Sequence, residues 1–153
     1  MNVRIWMDGA CGGNPGPSSI GGLIRSEDGR TLRELSECLG EATNNVAEYT
    51  ALVRALEAAK ALDAKRVEAF SDSQLLVRQM SGQYRVKHPG LKPLHAKALA
   101  LARGFSCFSF THVPREGEGW KASVRKPLED WQKALDQHVA KIGLVARHVN
   151  GQH

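Results

Sequence analysis

The sequence has little cysteine, and its three cysteines form no motif. Cys11, Cys38 and Cys107 are odd in number, lie far apart and include no C-x-x-C pair. This pattern argues against a disulfide framework and against the paired cysteine ligands of a structural zinc site. We therefore expect the protein to work in a reducing, cytoplasmic setting.

Long apolar runs are also missing. A membrane-spanning helix needs about 18 consecutive apolar residues, and Asp8 already interrupts the first apolar run. The same carboxylate argues against a signal peptide at the start of the chain. The charge is only modestly unbalanced, because 21 Lys and Arg stand against 16 Asp and Glu, a net charge of +5. That surplus favours a polyanionic partner such as nucleic acid without requiring one.

The chain does have the size and apolar content of a single compact domain, with 153 residues of which 42% are hydrophobic. Periodicity and turn signals predict nine elements. They are strands over 3–7, 20–25 and 31–39, a helix over 46–62, a strand over 66–70, helices over 75–80 and 92–103, a strand over 105–113, and a last helix from Pro127. The order βββαβααβα predicts an α/β fold with a five-stranded mixed sheet, which starts with three antiparallel strands and carries helices on both faces.

Three carboxylates lie where these elements begin or end. Asp8 follows the first predicted strand beside a glycine-rich turn, Glu48 lies in the first predicted turn of a helix, and Asp72 lies between a strand and a helix. Each has a simple structural explanation, since Glu48 would complement the helix dipole and Asp72 would cap a helix. Their repetition at such junctions predicts instead that they converge at one edge of the sheet.

Four short blocks then identify a family. They read D-G at 8–9 with G-N-P-G at 13–16, T-N-N-V-A-E-Y at 43–49, S-D-S at 71–73 and T-H-V-P-R-E at 111–116. Their order and spacing resemble type 1 ribonuclease H, most closely the compact variants that lack the basic handle insertion. The spacing from N-N-x-A-E-Y to S-D-S is the most specific part of the match. The resemblance covers about residues 1–116 and implies a ribonuclease H-like fold.

The resemblance implies endonucleolytic cleavage of the RNA strand of an RNA/DNA hybrid, with 5′-phosphate and 3′-hydroxyl products. It also implies that Asp8, Glu48 and Asp72 are the ligands of two Mg²⁺ ions, for which Mn²⁺ could substitute. This chemistry suits the residues, because Mg²⁺ prefers oxygen ligands and a pair of such cations can activate water and stabilise the leaving oxygen.

The resemblance further implies contacts to the hybrid. The 2′-hydroxyl distinguishes RNA from DNA, and the matching positions that would read it along the minor groove are Gly9, Gly13, Asn14, Asn45 and Gln74. Thr43 matches a position that holds a phosphate of the DNA strand, and Arg115 takes the place of a loop histidine that assists catalysis in many members. Lys87, His88 and Lys92 could add phosphate contacts. Neither a membrane nor an obligate protein partner is expected, and we predict a monomer.

The chain departs from the family after residue 116. Members carry a fourth carboxylate in a pattern like N-x-x-A-D-x-L-A, and Ala122 stands at the expected position here. Asp130, near the start of the last predicted helix, could replace it, Glu118 could reach in from the loop, or the fourth acid is absent. We rank Asp130 above Glu118 because a helix start is the more rigid platform. Without a fourth acid, the alternative function is a weakened or inactive hybrid-binding module.

Overall fold

The structure, a computed structural model, describes residues 1–113 and the single position Gln137. Apart from Gln137, which is helical, the predicted last helix from Pro127 lies outside the described residues. So do Arg115, Glu118, Ala122 and Asp130, on which the sequence-based predictions of the catalytic arginine and the fourth acid depend.

Residues 1–113 contain five strands and three helices in the predicted order. They are β1 (Asn2–Cys11), β2 (Gly16–Ser26), β3 (Thr31–Ala42), α1 (Asn44–Ala61), β4 (Arg66–Ser71), α2 (Gln74–Met80), α3 (Lys92–Arg103) and β5 (Cys107–His112). None of the described helices is long and apolar enough to cross a membrane.

The five strands form one mixed sheet in the order β3-β2-β1-β4-β5. β1, β2 and β3 pair antiparallel, whereas β4 runs parallel to β1 and β5 runs parallel to β4. The predicted mixed sheet with three antiparallel strands first is therefore confirmed. β1 lies at its centre, between β2 and β4.

The turn between β2 and β3 contains Asp28 and Gly29, a pair that favours hairpin turns. Gly29 has a φ of +86°, which an L side chain adopts only with strain. The Ser26 N–H donates to the carbonyl of Arg30 at 2.9 Å, and the Gly29 N–H donates to the carbonyl of Ser26 at 3.0 Å. This local turn sets the register of the two strands.

The core lies between the sheet and α1. Alternate residues of β1, Val3, Ile5 and Met7, are at most 1% exposed, and Leu52 and Leu56 of α1 belong to the same buried cluster. Burying each of these side chains contributes roughly 1.5–3 kcal/mol to folding. This packing holds α1 across the sheet and thereby fixes where its N-terminal turns lie.

β1 is longer than predicted. The prediction ended it before Asp8, but the strand continues to Cys11 and pairs with β2 as far as Cys11 and Ser18. Pairing with β2 supplies hydrogen bonds along this stretch, and these outweigh the low strand propensity of Gly9. The turn is therefore confined to 12–15, where Gly13 has a φ of +135°.

Candidate active site

The parallel pairing of β1 and β4 brings Asp8 and Asp72 side by side. The pairs run from Asn2 with Arg66 to Trp6 with Phe70, and the partners differ by 64 in residue number throughout. Asp8 and Asp72 differ by the same number, so they lie opposite each other just beyond the last pair. The register of two strands, rather than any local motif, is what places these carboxylates together.

Glu48 is supplied by α1. Thr43 caps this helix, because its Oγ1 accepts a hydrogen bond from the Val46 N–H at 3.3 Å. The helix consequently begins at Asn44, two residues earlier than predicted, and its first turn contains no acidic residue. The placement of Glu48 in the first turn was wrong. Its interaction with the helix dipole is weaker one turn further on, so the dipole does not account for this acid.

A direct contact between β1 and α1 brings Glu48 to Asp8. A Cβ atom on Gly9 would lie 2.8 Å from the backbone carbon and Cβ of Ala47, and 3.0 Å from the Glu48 nitrogen. Only glycine leaves room for backbone to approach backbone this closely. The residue after Asp8 therefore touches the residue before Glu48, and the two carboxylates are drawn to the same place.

Asp72 lies between β4 and α2 but does not cap α2. The cap is Ser73, whose Oγ accepts a hydrogen bond from the Leu76 N–H at 3.2 Å. The capping explanation for Asp72 was therefore wrong by one residue. Since a serine performs the local task, capping does not explain why an aspartate precedes it.

The three carboxylates converge. One oxygen from each of Asp8, Glu48 and Asp72 lies within 4.8 Å of the other two. Asp8 is 7% exposed and accepts a hydrogen bond from the Gly9 N–H at 2.8 Å, while the other two are half-buried. Carboxylates this close repel one another, and a cation bound between them relieves that repulsion. An all-oxygen, anionic donor set of this kind fits a hard divalent cation such as Mg²⁺.

The predicted hybrid-contacting residues lie within a few residues of these acids along the chain. The Asn14 side-chain oxygen accepts from the Asn44 N–H at 3.0 Å and so ties the glycine turn to the start of α1. Asn14, Asn45 and Gln74 are exposed, and Thr43 is half-buried as the cap of α1. The side chains of Lys87, His88 and Lys92 are exposed but do not belong to the carboxylate cluster.

One buried pair, formed by the residue after Glu48 and a residue of α2, has no counterpart among the sequence-based predictions of site residues. The Tyr49 hydroxyl donates to Oε1 of Gln79 at 2.7 Å, and both residues are buried. Burial raises the pKa of Tyr49 to about 12. The sequence feature that could have indicated this pair is Gln79, a polar residue that shares the buried side of α2 with Leu76 and Met80.

Comparison with known proteins gives related sequences over most of the chain. A family model described as reverse transcriptase-like matches residues 6–119. Ribonuclease HI of Halobacterium salinarum is 42% identical over 129 residues, which are 84% of this chain and 65% of that protein. The bifunctional protein Rv2228c of Mycobacterium tuberculosis is 44% identical over 75% of this chain, but the chain spans only 32% of its length. Ribonuclease H of Chlorobium phaeovibrioides is 40% identical over 95% of this chain and 83% of that protein.

Solved structures give the same family. The N-terminal RNase H domain of Rv2228c from Mycobacterium tuberculosis superimposes with a TM-score of 0.84 at 34% identity, covering 97% of this chain and 98% of that one. LC11-RNase H1 in complex with an RNA/DNA hybrid has a TM-score of 0.73 at 38% identity, covering 91% and 97%. Because a family model matches residues 6–119 and a ribonuclease H is 40% identical over 83% of its own length, this chain belongs to the ribonuclease H family.

Proposed function

We propose that the protein is a metal-dependent endonuclease that hydrolyses the RNA strand of RNA/DNA hybrids, leaving 5′-phosphate and 3′-hydroxyl ends. The observation that carries the proposal is the meeting of three carboxylate oxygens within 4.8 Å beside the central strand. Membership of the ribonuclease H family supports it, as does the 38% identity to an enzyme solved with an RNA/DNA hybrid.

In this proposal Asp8, Glu48 and Asp72 hold two Mg²⁺ ions, with Mn²⁺ as a possible substitute. Such cations, when bound, supply an activated water and neutralise charge on the leaving oxygen. The protein contributes the geometry. Asp8 is held in the central strand and is 7% exposed, which restricts the movement of its carboxylate. The half-buried Glu48 and Asp72 would leave the cluster open to a substrate.

Recognition of the RNA strand would fall to the surface around the cluster. The oxygen of the Asn14 side chain is used by the Asn44 N–H, so its Nδ2 group would donate to a 2′-hydroxyl. Asn45 and Gln74 are exposed beside two of the acids and would read neighbouring nucleotides together with the backbone of Gly9 and Gly13. Thr43 would hold a DNA phosphate while it caps α1.

The remaining catalytic groups are proposed from the sequence alone. Arg115 would assist the reaction from the loop after β5, and Asp130, ranked above Glu118, would supply a fourth carboxylate. Residues 117–153 depart from the family pattern, and Ala122 stands where the family has its fourth carboxylate. This departure favours one second candidate function. In that case the protein binds hybrids but cuts them slowly or not at all.

Cleavage of an end-labelled RNA/DNA hybrid, first with Mg²⁺ and then with Mn²⁺, tests the proposal. The unsubstituted protein is expected to release RNA fragments with 5′-phosphates. Asp8→Asn should abolish cleavage but retain hybrid binding, because it removes one ligand charge and leaves the surface intact. The matched control is Asp28→Asn, which makes the same change in an exposed turn and should cleave normally. Binding without product in either metal would favour the second candidate, and an active Asp8→Asn would exclude Asp8 as a ligand.

We infer further that the protein works as a monomer in a reducing cytoplasm. The odd number and wide spacing of the three cysteines support the reducing setting. Sedimentation equilibrium should give a mass close to 16.7 kDa. A mass twice as large would contradict the monomer.

A further inference from the structure

A buried hydrogen bond joins the helix that carries Glu48 to the helix that follows Asp72. Tyr49, the residue after Glu48, is 2% exposed and its hydroxyl donates to Oε1 of Gln79 at 2.7 Å. Gln79 lies on α2, which begins two residues after Asp72, and is 6% exposed. The bond therefore spans the gap between the elements that supply two of the three carboxylates.

A third helix completes this contact. The backbone carbonyl of Gln79 accepts a hydrogen bond from Nε2 of His95 on α3 at 3.2 Å. A carbonyl can only accept, so Nε2 carries the hydrogen. The His95 ring also meets the Tyr49 ring edge-on, with centroids 6.2 Å apart and planes at 89°. Gln79 is thus held by α1 through its side chain and by α3 through its backbone.

The helix α2 depends on such contacts for its orientation. It has seven residues, and isolated helices shorter than about 12–15 residues are only marginally stable in water. Its buried side chains are Leu76, Gln79 and Met80. The apolar contacts of Leu76 and Met80 would allow α2 to shift along its neighbours, whereas the buried hydrogen bond of Gln79 specifies one position of α2 relative to α1. The contact at Gln79 therefore sets the distance between α2 and α1.

We propose that Tyr49 and Gln79 are positioning residues that set the separation of the Glu48 and Asp72 carboxylates for cation binding. Asp72 lies between β4, which fixes where the strand delivers it, and α2, which fixes the direction in which the chain leaves it. If α2 moved away from α1, the Asp72 carboxylate would be redirected, and Glu48 would stay with α1. The inference rests on the proposed function in one respect, that these carboxylates bind Mg²⁺ or Mn²⁺. Loss of groups that orient metal ligands typically weakens metal affinity about 10–100-fold. Because Tyr49 and Gln79 act through helix placement, we expect the lower end of that range.

Two conservative variants test the inference. Tyr49→Phe removes only the hydroxyl, and Gln79→Met removes the acceptor at similar side-chain length. Isothermal titration with Mn²⁺ alone, without nucleic acid, should give an affinity about tenfold lower for each. The double variant should be no weaker than either single variant, because all three lose the same hydrogen bond.

The control variant is Thr50→Val. Thr50 follows Tyr49 in α1, and its hydroxyl donates to the Val46 carbonyl at 2.7 Å within the same helix. Removing it costs α1 a hydrogen bond without touching α2. The Tm of every variant is measured by thermal denaturation, and Thr50→Val should bind Mn²⁺ like the unsubstituted protein even if its Tm falls.

The outcomes are distinct. If Tyr49→Phe and Gln79→Met lower the Tm but bind Mn²⁺ normally, the hydrogen bond only stabilises the fold and the inference is wrong. If the unsubstituted protein binds Mn²⁺ but cuts no hybrid, and the variants bind it more weakly, the inference stands and the proposed function fails. If the unsubstituted protein binds no Mn²⁺, both fail.

Discussion

Gly9→Ala tests whether the contact between β1 and α1 builds the site. The new Cβ would lie 2.8 Å from two carbon atoms of Ala47 and 3.0 Å from the Glu48 nitrogen. Carbon atoms pack best at about 3.5–4.0 Å, so β1 and α1 must separate by roughly 0.7 Å or more at this point. Two of the three obstructing atoms belong to the backbone of α1, so no side-chain rotation relieves the overlap.

The expected effect has two parts. Overpacking of this kind costs about 1–3 kcal/mol of folding free energy, which corresponds to a Tm lower by roughly 2–12 °C for a domain of this size. The same displacement moves Glu48 away from Asp8. Misplacing a catalytic group by about 1 Å can cost about 100-fold in rate, so hybrid cleavage by Gly9→Ala should fall by up to that factor while the protein remains folded.

The assay compares Gly9→Ala with Gly104→Ala for Tm and for initial rate of hybrid cleavage. Gly104 ends α3 with a φ of −75°, which alanine adopts freely, and the nearest atom to a Cβ there is the Leu101 oxygen at 3.3 Å. The control should change folding free energy by less than about 0.5 kcal/mol and leave the rate unchanged. If Gly9→Ala matches the control in both measurements, the close contact does not position Glu48 and the argument is refuted.

Three further predictions concern other residues. Replacing Asp130 by Asn and Glu118 by Gln should identify the fourth acid, because loss of hybrid cleavage in only one variant names it and full activity in both excludes both. Ser73→Ala should lower the free energy of unfolding by about 1 kcal/mol, because α2 loses its cap. Urea denaturation measures this loss, and an unchanged midpoint would contradict the capping role of Ser73. Spectrophotometric titration of Tyr84→Phe, in which Tyr49 is the remaining tyrosine, should give a midpoint near 12. Unfolded tyrosine ionises near pH 10. Above that pH the unfolded chain binds fewer protons than the folded protein, so the free energy of unfolding should fall between about pH 10 and 12. A titration midpoint of Tyr49 near pH 10 would contradict its burial.

Much of the fold follows from local sequence. Apolar periodicity and turn signals act over a few residues, and the elements they predict occur in that order over residues 1–113. The errors have specific physical causes. In the S-D-S block two adjacent residues can cap α2, and propensity alone does not choose Ser73 over Asp72. The end of β1 was misplaced because its last residues are extended through pairing with β2 rather than by their own preference.

The sequence by itself determined which acids are candidates, since Asp8, Glu48 and Asp72 can be picked out from junctions and spacing alone. Only the tertiary structure decided how near they come. Their distance depends on the β1–β4 register and on the room that Gly9 leaves for α1. Strand pairing and helix packing join residues tens of positions apart, and no periodicity within a short window encodes them. The hydrogen bond between Tyr49 and Gln79 belongs to the same class, because it exists only after three helices have packed.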